Sequence, residues 1–178
     1  MRSTSSRYGA GARLFHWLTA VLVLIAYVLS SGDGYSLYSA SADGLRRIHE
    51  ALGVLVFSVV VLRLIWRLID GAPAKQQRMS QLMTLIAQLV HLALYAFLIA
   101  LPTTAVLGTW LEGIPVTLPG VDIAPQITKA HGLGHLIMEI HTTLGNAILW
   151  LAGVHTAAAL FHYFYLRDEV LQSMITDA

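Results

Sequence analysis

Eight histidines are spread over 178 residues that include no cysteine, and their spacing carries the chemistry of this chain. His141 and His155 lie fourteen residues apart in an apolar run. In an α-helix that separation is about 21 Å along the axis, with roughly 40° between the side chains. One helix face thus presents two imidazoles at two depths. Neutral imidazole is the commonest metal ligand in proteins and an axial ligand of haem iron. A polar ring at bilayer depth is costly and marks a functional site by default. Each ring therefore calls for a partner on another helix.

Four apolar stretches are available to supply partners: about 13–31, 45–69, 80–101 and 133–166. Each is long enough to cross the ~30 Å hydrocarbon layer. The chain is 56% hydrophobic and only 12% charged, well below the quarter charged that soluble domains carry. We read a single all-α domain, 1–178, an integral membrane four-helix bundle. Basic residues ahead of the first stretch also describe a signal peptide. The length of that stretch, His16-Trp17 at its head and the lack of a convincing cleavage site favour a retained helix. Pro102 is read as the kink or end of the third helix, and residues 112–126, with Pro115, Pro119 and Pro125, as a loop.

Orientation follows from the basic residues. Arg2, Arg7, Arg13, Arg63, Arg67, Lys75, Arg78 and Arg167 fall on one side, and Arg46, Arg47 and Lys129 on the other. Both termini are thereby expected in the cytoplasm. Histidine depth then sorts itself: His16 and His155 are inner, while His49 and His141 are outer. The two depth-matched pairs, His16/His155 and His49/His141, would each fit one six-coordinate iron between helices.

An internal repeat adds weight to the outer pair. Ile48-His49-Glu50-Ala51-Leu52-Gly53 and Ile140-His141-Thr142-Thr143-Leu144-Gly145 share the pattern I-H-x-x-L-G. A glycine four residues after a ligand lies on the same face one turn deeper. There Gly53 and Gly145 leave room for a flat macrocycle, or serve close helix packing. Arg63 and Arg67 share one face of helix 2 and suit the carboxylates of an inner haem, or snorkel to anionic lipid. His91 and His162 have packing roles as alternatives, and His131 and His135 read as interfacial. Without cysteine, thiolate zinc sites, cysteine-ligated clusters and covalent haem attachment are excluded. A net charge of +1 gives no broad basic surface for nucleic acid.

The chain resembles the prokaryotic cytochrome b561 family over essentially its whole length. The resemblance rests on His16-Trp17, Ile48-His49, Val61-Leu62-Arg63-Leu64 with Arg67, His141 with its fourteen-residue spacing to Val154-His155, and Ala157-Ala158-Ala159-Leu160 followed by His162-Tyr163. It implies two non-covalent haem b groups in a bacterial inner membrane, each with bis-His ligation, on His16, His49, His141 and His155. It also implies an oxidoreductase passing electrons between an outer donor and membrane quinone. One branch of the family oxidises superoxide and reduces ubiquinone. With no open iron position, electron transfer is expected to be outer-sphere, and His91 is the candidate proton donor at a quinone site. The alternative is a cytochrome b anchor subunit of a larger respiratory oxidoreductase. A redox partner protein or a homo-oligomer stays open.

Overall fold

Residues 8–30, 43–70 and 80–175 are described by the computed structural model. Arg2, Arg7, Lys75 and Arg78, four of the basic residues used for orientation, lie outside the described residues. Four long helices dominate: α1 Ala10–Ser30, α2 Asp43–Asp70, α3 Gln81–Leu111 and α4 His131–Phe161. All four are long and apolar enough to cross a membrane, the last with its continuation to Leu166. Their large apolar side chains face outward to a great extent, as lipid as solvent permits.

The shared core is small. Val60 is fully buried and Ile148 is 3% exposed, and Leu22, Val56, Val59 and Leu98 join them where the four helices meet. Close backbone packing joins α3 to α4 and α1 to α2, with a sparser seam between α2 and α3. Small residues make these approaches possible. A Cβ on Gly11 would meet the Trp66 ring at 2.8 Å, and one on Gly108 would meet Met138 at 2.6 Å. Neither α1 nor α2 packs closely along α4. The seam facing α4 is bridged by side chains, including a Tyr27 hydroxyl that donates to Asn146 Oδ1 at 3.1 Å.

Two boundaries differ from the sequence expectation. Helix α3 does not stop at Leu101 but runs ten residues further, with Pro102 inside it. Proline costs the helix one donor, the amide that would bond the Leu98 carbonyl. The neighbouring hydroxyls of Thr103 and Thr104 bond back to Ile99, Ala100 and Leu101 carbonyls, so the turns stay closed. Residues 112–126 are not all loop either. Strands β1 Val116–Leu118 and β2 Val121–Ile123 pair antiparallel, Val116 opposite Ile123. Their turn places Pro119 and Gly120 centrally, with Gly120 at φ 84, as a type II turn requires.

This hairpin is fastened to the start of α2. The Glu50 carboxylate accepts from both the Thr117 backbone amide and the Thr117 hydroxyl, the latter at 2.9 Å. Arg47 reaches Asp122 Oδ1 at 2.6 Å and the Leu118 carbonyl at 3.3 Å. Thr117 is 2% exposed, so removing Glu50 would leave a buried amide without its acceptor.

At the other end, α4 closes through a π-turn, His162–Leu166, and Arg167 turns the chain in the left-handed region at φ 53. His162 Nδ1 meets Asp168 Oδ2 at 2.5 Å, fixing that reversal. The tail then folds back so that the Trp17 indole donates to the Met174 carbonyl at 2.9 Å.

Gly134 is a joint between α3 and α4 at which backbone itself stands close. A Cβ there would lie 2.8 Å from Glu112 Oε1 and 3.0 Å from backbone atoms of Glu112 and Leu111, which cannot swing aside. Gly134→Ala is expected to cost about 1–3 kcal/mol, the usual penalty of overpacking. Gly132→Ala, which meets nothing within 4 Å, is expected to cost nothing. Thermal unfolding of the two detergent-solubilised variants measures the difference.

Candidate functional site

Two histidine pairs span the seam between α4 and the α1–α2 pair. His16 on α1 and His155 on α4 have ring centres 6.3 Å apart, and His49 on α2 and His141 on α4 have ring centres 6.4 Å apart. Both pairs are those that depth selects in the sequence. Geometry limits what such a spacing can do. An imidazole nitrogen sits about 2 Å from a bound metal, which puts two ring centres roughly 6 Å apart across one ion and nearer 5 Å at a tetrahedral angle. The observed spacings match the opposed arrangement. That suits the two axial positions of a haem and not a tetrahedral site. Among the described residues, no group of three or more His, Asp or Glu is placed to hold a metal ion.

The second ring nitrogens decide which nitrogen is available. His49 Nδ1 lies 2.9 Å from the Ala26 carbonyl, and His141 Nδ1 lies 2.9 Å from the Leu101 carbonyl. A carbonyl can only accept, so each Nδ1 carries the proton and each Nε2 keeps its lone pair. Thr104 Oγ1, itself donating to Ala100, lies 3.3 Å from His141 Nδ1 and adds a second acceptor. Histidines that ligate metals usually donate their other N–H in this manner, which fixes the tautomer and raises the basicity of the ligand.

Glycine supplies the remaining space. A Cβ on Gly53 meets nothing within 4 Å, and one on Gly145 meets only Leu101 Cδ2, at 4.0 Å. Neither glycine serves close helix packing, unlike Gly108 and Gly134. They leave the flank of the outer pair open to a flat group lying against the helix backbones. The residues present therefore fit a planar, apolar macrocycle with axial imidazoles.

The inner pair has different surroundings. Arg63 Nη2 donates to His16 Nδ1 at 3.2 Å, so Nδ1 is the accepting nitrogen of this ring, the reverse of His49 and His141. The guanidinium of Arg63 stands 5.4 Å from the Tyr95 ring centre and that of Arg67 stands 6.0 Å away. His91 is edge-on to His155, with ring centres 5.2 Å apart, closer than the opposed spacing. His91, Arg67 and Tyr95 line two adjoining clefts, one bounded also by Arg63, Trp66 and Met174 and the other by Gln88 and Leu92.

The other three histidines go elsewhere. His131 pairs with Glu112 and is largely exposed, His135 lies 3.5 Å from Glu139 at the surface, and His162 holds Asp168. Reading the sequence alone misses Ala26, Leu101, Thr104 and Tyr95 as neighbours of the site. Two of these act through backbone carbonyls, which leave no residue-type signal.

The sequence profile of the prokaryotic cytochrome b561 family matches residues 7–177. Escherichia coli (strain K12) "Cytochrome b561 homolog 2" is 29% identical over 181 residues, covering 97% of this chain and 93% of its own. "Cytochrome b561 homolog 1" of the same organism is 27% identical, covering 96% and 97%. A Yersinia pestis protein named "Probable superoxide oxidase CybB" is 26% identical, covering 90% of each chain. The chain belongs to the prokaryotic cytochrome b561 family, and with its four spanning-capable helices it is a multi-pass bacterial membrane protein for electron transfer. Family membership implies haem b.

Filling the flank of the outer pair should therefore exclude the cofactor. Gly53→Leu and Gly145→Leu are each expected to lower the haem recovered per chain while leaving helical circular dichroism unchanged. Full haem recovery in both variants would show that these glycines do not form part of the cradle.

Proposed function

We propose that this chain carries electrons through two haem b groups, held by His49/His141 and His16/His155, from an outer donor to membrane quinone. The observation that carries the reading is the two imidazole couples, with ring centres 6.3 Å and 6.4 Å apart, at two levels of one bundle. The setting is the bacterial inner membrane with both termini cytoplasmic, which puts the hairpin outside and the Arg63/Arg67 end inside. When bound, haem supplies reversible one-electron exchange at iron.

The chain's own residues do the rest. The carbonyls of Ala26 and Leu101 hold His49 and His141 in the tautomer that frees Nε2. His16, His49, His141 and His155 would hold the two groups, and donors would then act by outer-sphere electron transfer. Gly53 and Gly145 keep the flank clear. Quinone reduction consumes two electrons and two protons. At the inner clefts, the ring of His91 offers a proton to a quinone oxygen, and Tyr95, Gln88 and Arg67 line the same space.

Superoxide is the donor we propose, on the likeness to the Yersinia pestis relative. Two superoxide ions would give two dioxygen and leave two electrons for one quinone. An anion is drawn by positive potential. Arg47 shares its charge with Asp122 at 2.6 Å, so attraction at the hairpin end is moderate.

Proteoliposomes loaded with ubiquinone and exposed to external superoxide test the reading. Quinol is expected to form, and His141→Ala is expected to lower its rate at least about tenfold, the scale of losing about 1.4 kcal/mol in the transition state. Quinol formation unaffected by His141→Ala would contradict the path. His91→Ala should slow quinone reduction while leaving haem content intact, read from the same preparation.

A further inference from the structure

Two histidines that electron transfer leaves unused stand together at the hairpin end of α4. His131 and His135 are one helical turn apart, about 6 Å along the axis and about 40° in azimuth, so both rings project from one face. Both are open, with side chains 76% and 71% exposed. Two imidazoles at this spacing on one helix are a recurring way to hold zinc.

Their surroundings point the same way. His131 Nδ1 contacts Glu112 Oε2. A carboxylate only accepts, so Nδ1 carries the proton, and in the neutral ring Nε2 keeps its lone pair. A carboxylate behind a histidine is the arrangement that orients metal-binding rings and raises their basicity. Glu112 is itself held in place. It caps the end of α3, and its Oε1 lies 2.8 Å from where a Cβ on Gly134 would stand. That Oε1 is buried and has no hydrogen-bond partner among the described residues. A buried carboxylate left half-satisfied is costly, and a cation on the far side of the His131 ring would offset its charge. His135 Nε2 lies 3.5 Å from Glu139 Oε1, too long for a good hydrogen bond. It is close to the roughly 3.4 Å between two donors that share one tetrahedral ion about 2.1 Å from each. The N-terminal end of α4 carries positive partial charge, but the C-terminal end of α3 abuts it and brings the opposite sign.

We propose that His131 and His135 form a binding site for a divalent transition-metal ion of the zinc class, with Glu112 orienting His131 and Glu139 as an oxygen donor beside His135. The site is separate from the two histidine pairs that face each other across the bundle. Among the described residues no three such donors are gathered at one point. His135 and Glu139 are exposed side chains that turn toward the ring Glu112 holds, and water completes the coordination. The bound ion would clamp the end of α3 to the start of α4 through the Glu112–His131 contact.

Isothermal titration of zinc chloride into the tag-free holoprotein in detergent tests this. Saturable zinc binding is expected in the wild type, with a rise in its unfolding temperature. His131→Ala and His135→Ala are each expected to weaken binding at least tenfold, with haem content and helical circular dichroism unchanged. Glu112→Gln should weaken it about 10–100-fold, the scale of losing an orienting partner. Magnesium, which takes oxygen ligands and keeps its water, should not compete. Zinc affinity unchanged in both histidine variants would overturn the proposal, as would a wild type with no saturable zinc binding. Magnesium bound as tightly as zinc would also overturn it, showing a diffuse attraction to carboxylates. Wild-type affinity in Glu112→Gln would remove the orienting role assigned to that residue.

Discussion

An imidazole inside a bilayer has two polar nitrogens and no water to satisfy them, and that requirement organises this structure. The outer pair meets it by giving each Nδ1 proton to a backbone carbonyl of another helix, Ala26 on α1 and Leu101 on α3. Those bonds fix the depth and rotation of α2 and α4 relative to their neighbours. They also leave each Nε2 unused, which makes sense only with a second partner in the seam. The absence of close packing between α4 and the α1–α2 pair is the complement of the same constraint. Helix faces that meet through histidines cannot also meet through their backbones.

The ends of the bundle follow from different chemistry. At the hairpin end, a glutamate one residue after His49 is engaged by Thr117, and Arg47 by Asp122. These bonds tie an irregular segment to the same helix that carries the outer histidine. At the other end, Arg63, Arg67, Tyr95 and His91 make a polar lining against an apolar bundle, and the fold-back of the tail onto Trp17 places Met174 at its edge. Polar groups thus concentrate at both ends and at the histidines, with apolar side chains between. The proposed path of electrons between the two histidine pairs, with protons handled at the Arg63 end, calls for that distribution.

Much of this arrangement was legible in the residue order. Four apolar stretches give four helices because length and hydropathy are local properties that no tertiary contact has to decide. The histidine couples come together because helix rise converts sequence spacing into depth. Other features were not readable for definite reasons. Pro102 marks a helix end in water, yet here α3 passes through it, since threonine hydroxyls and lipid surroundings favour keeping backbone bonds internal. Residues 112–126 read as a loop, and the three-residue strands within them are set by the Glu50 contact from a helix far away in sequence. The carbonyl partners of the outer histidines and the Arg63 contact of His16 are tertiary facts with no sequence pattern of their own. The sides assigned from the basic residues are a proposal, and so are the ligand roles of the four histidines, which the ring spacings support.

The central claim is that two opposed histidine couples each carry a haem b. Its most direct test is a dithionite-reduced minus oxidised spectrum of the purified wild-type protein, with haem extracted and counted per chain. Low-spin b-type bands and two haems per chain are expected. A single haem would contradict the paired reading, and none after expression with ample haem would return every one of these histidines to a purely structural role.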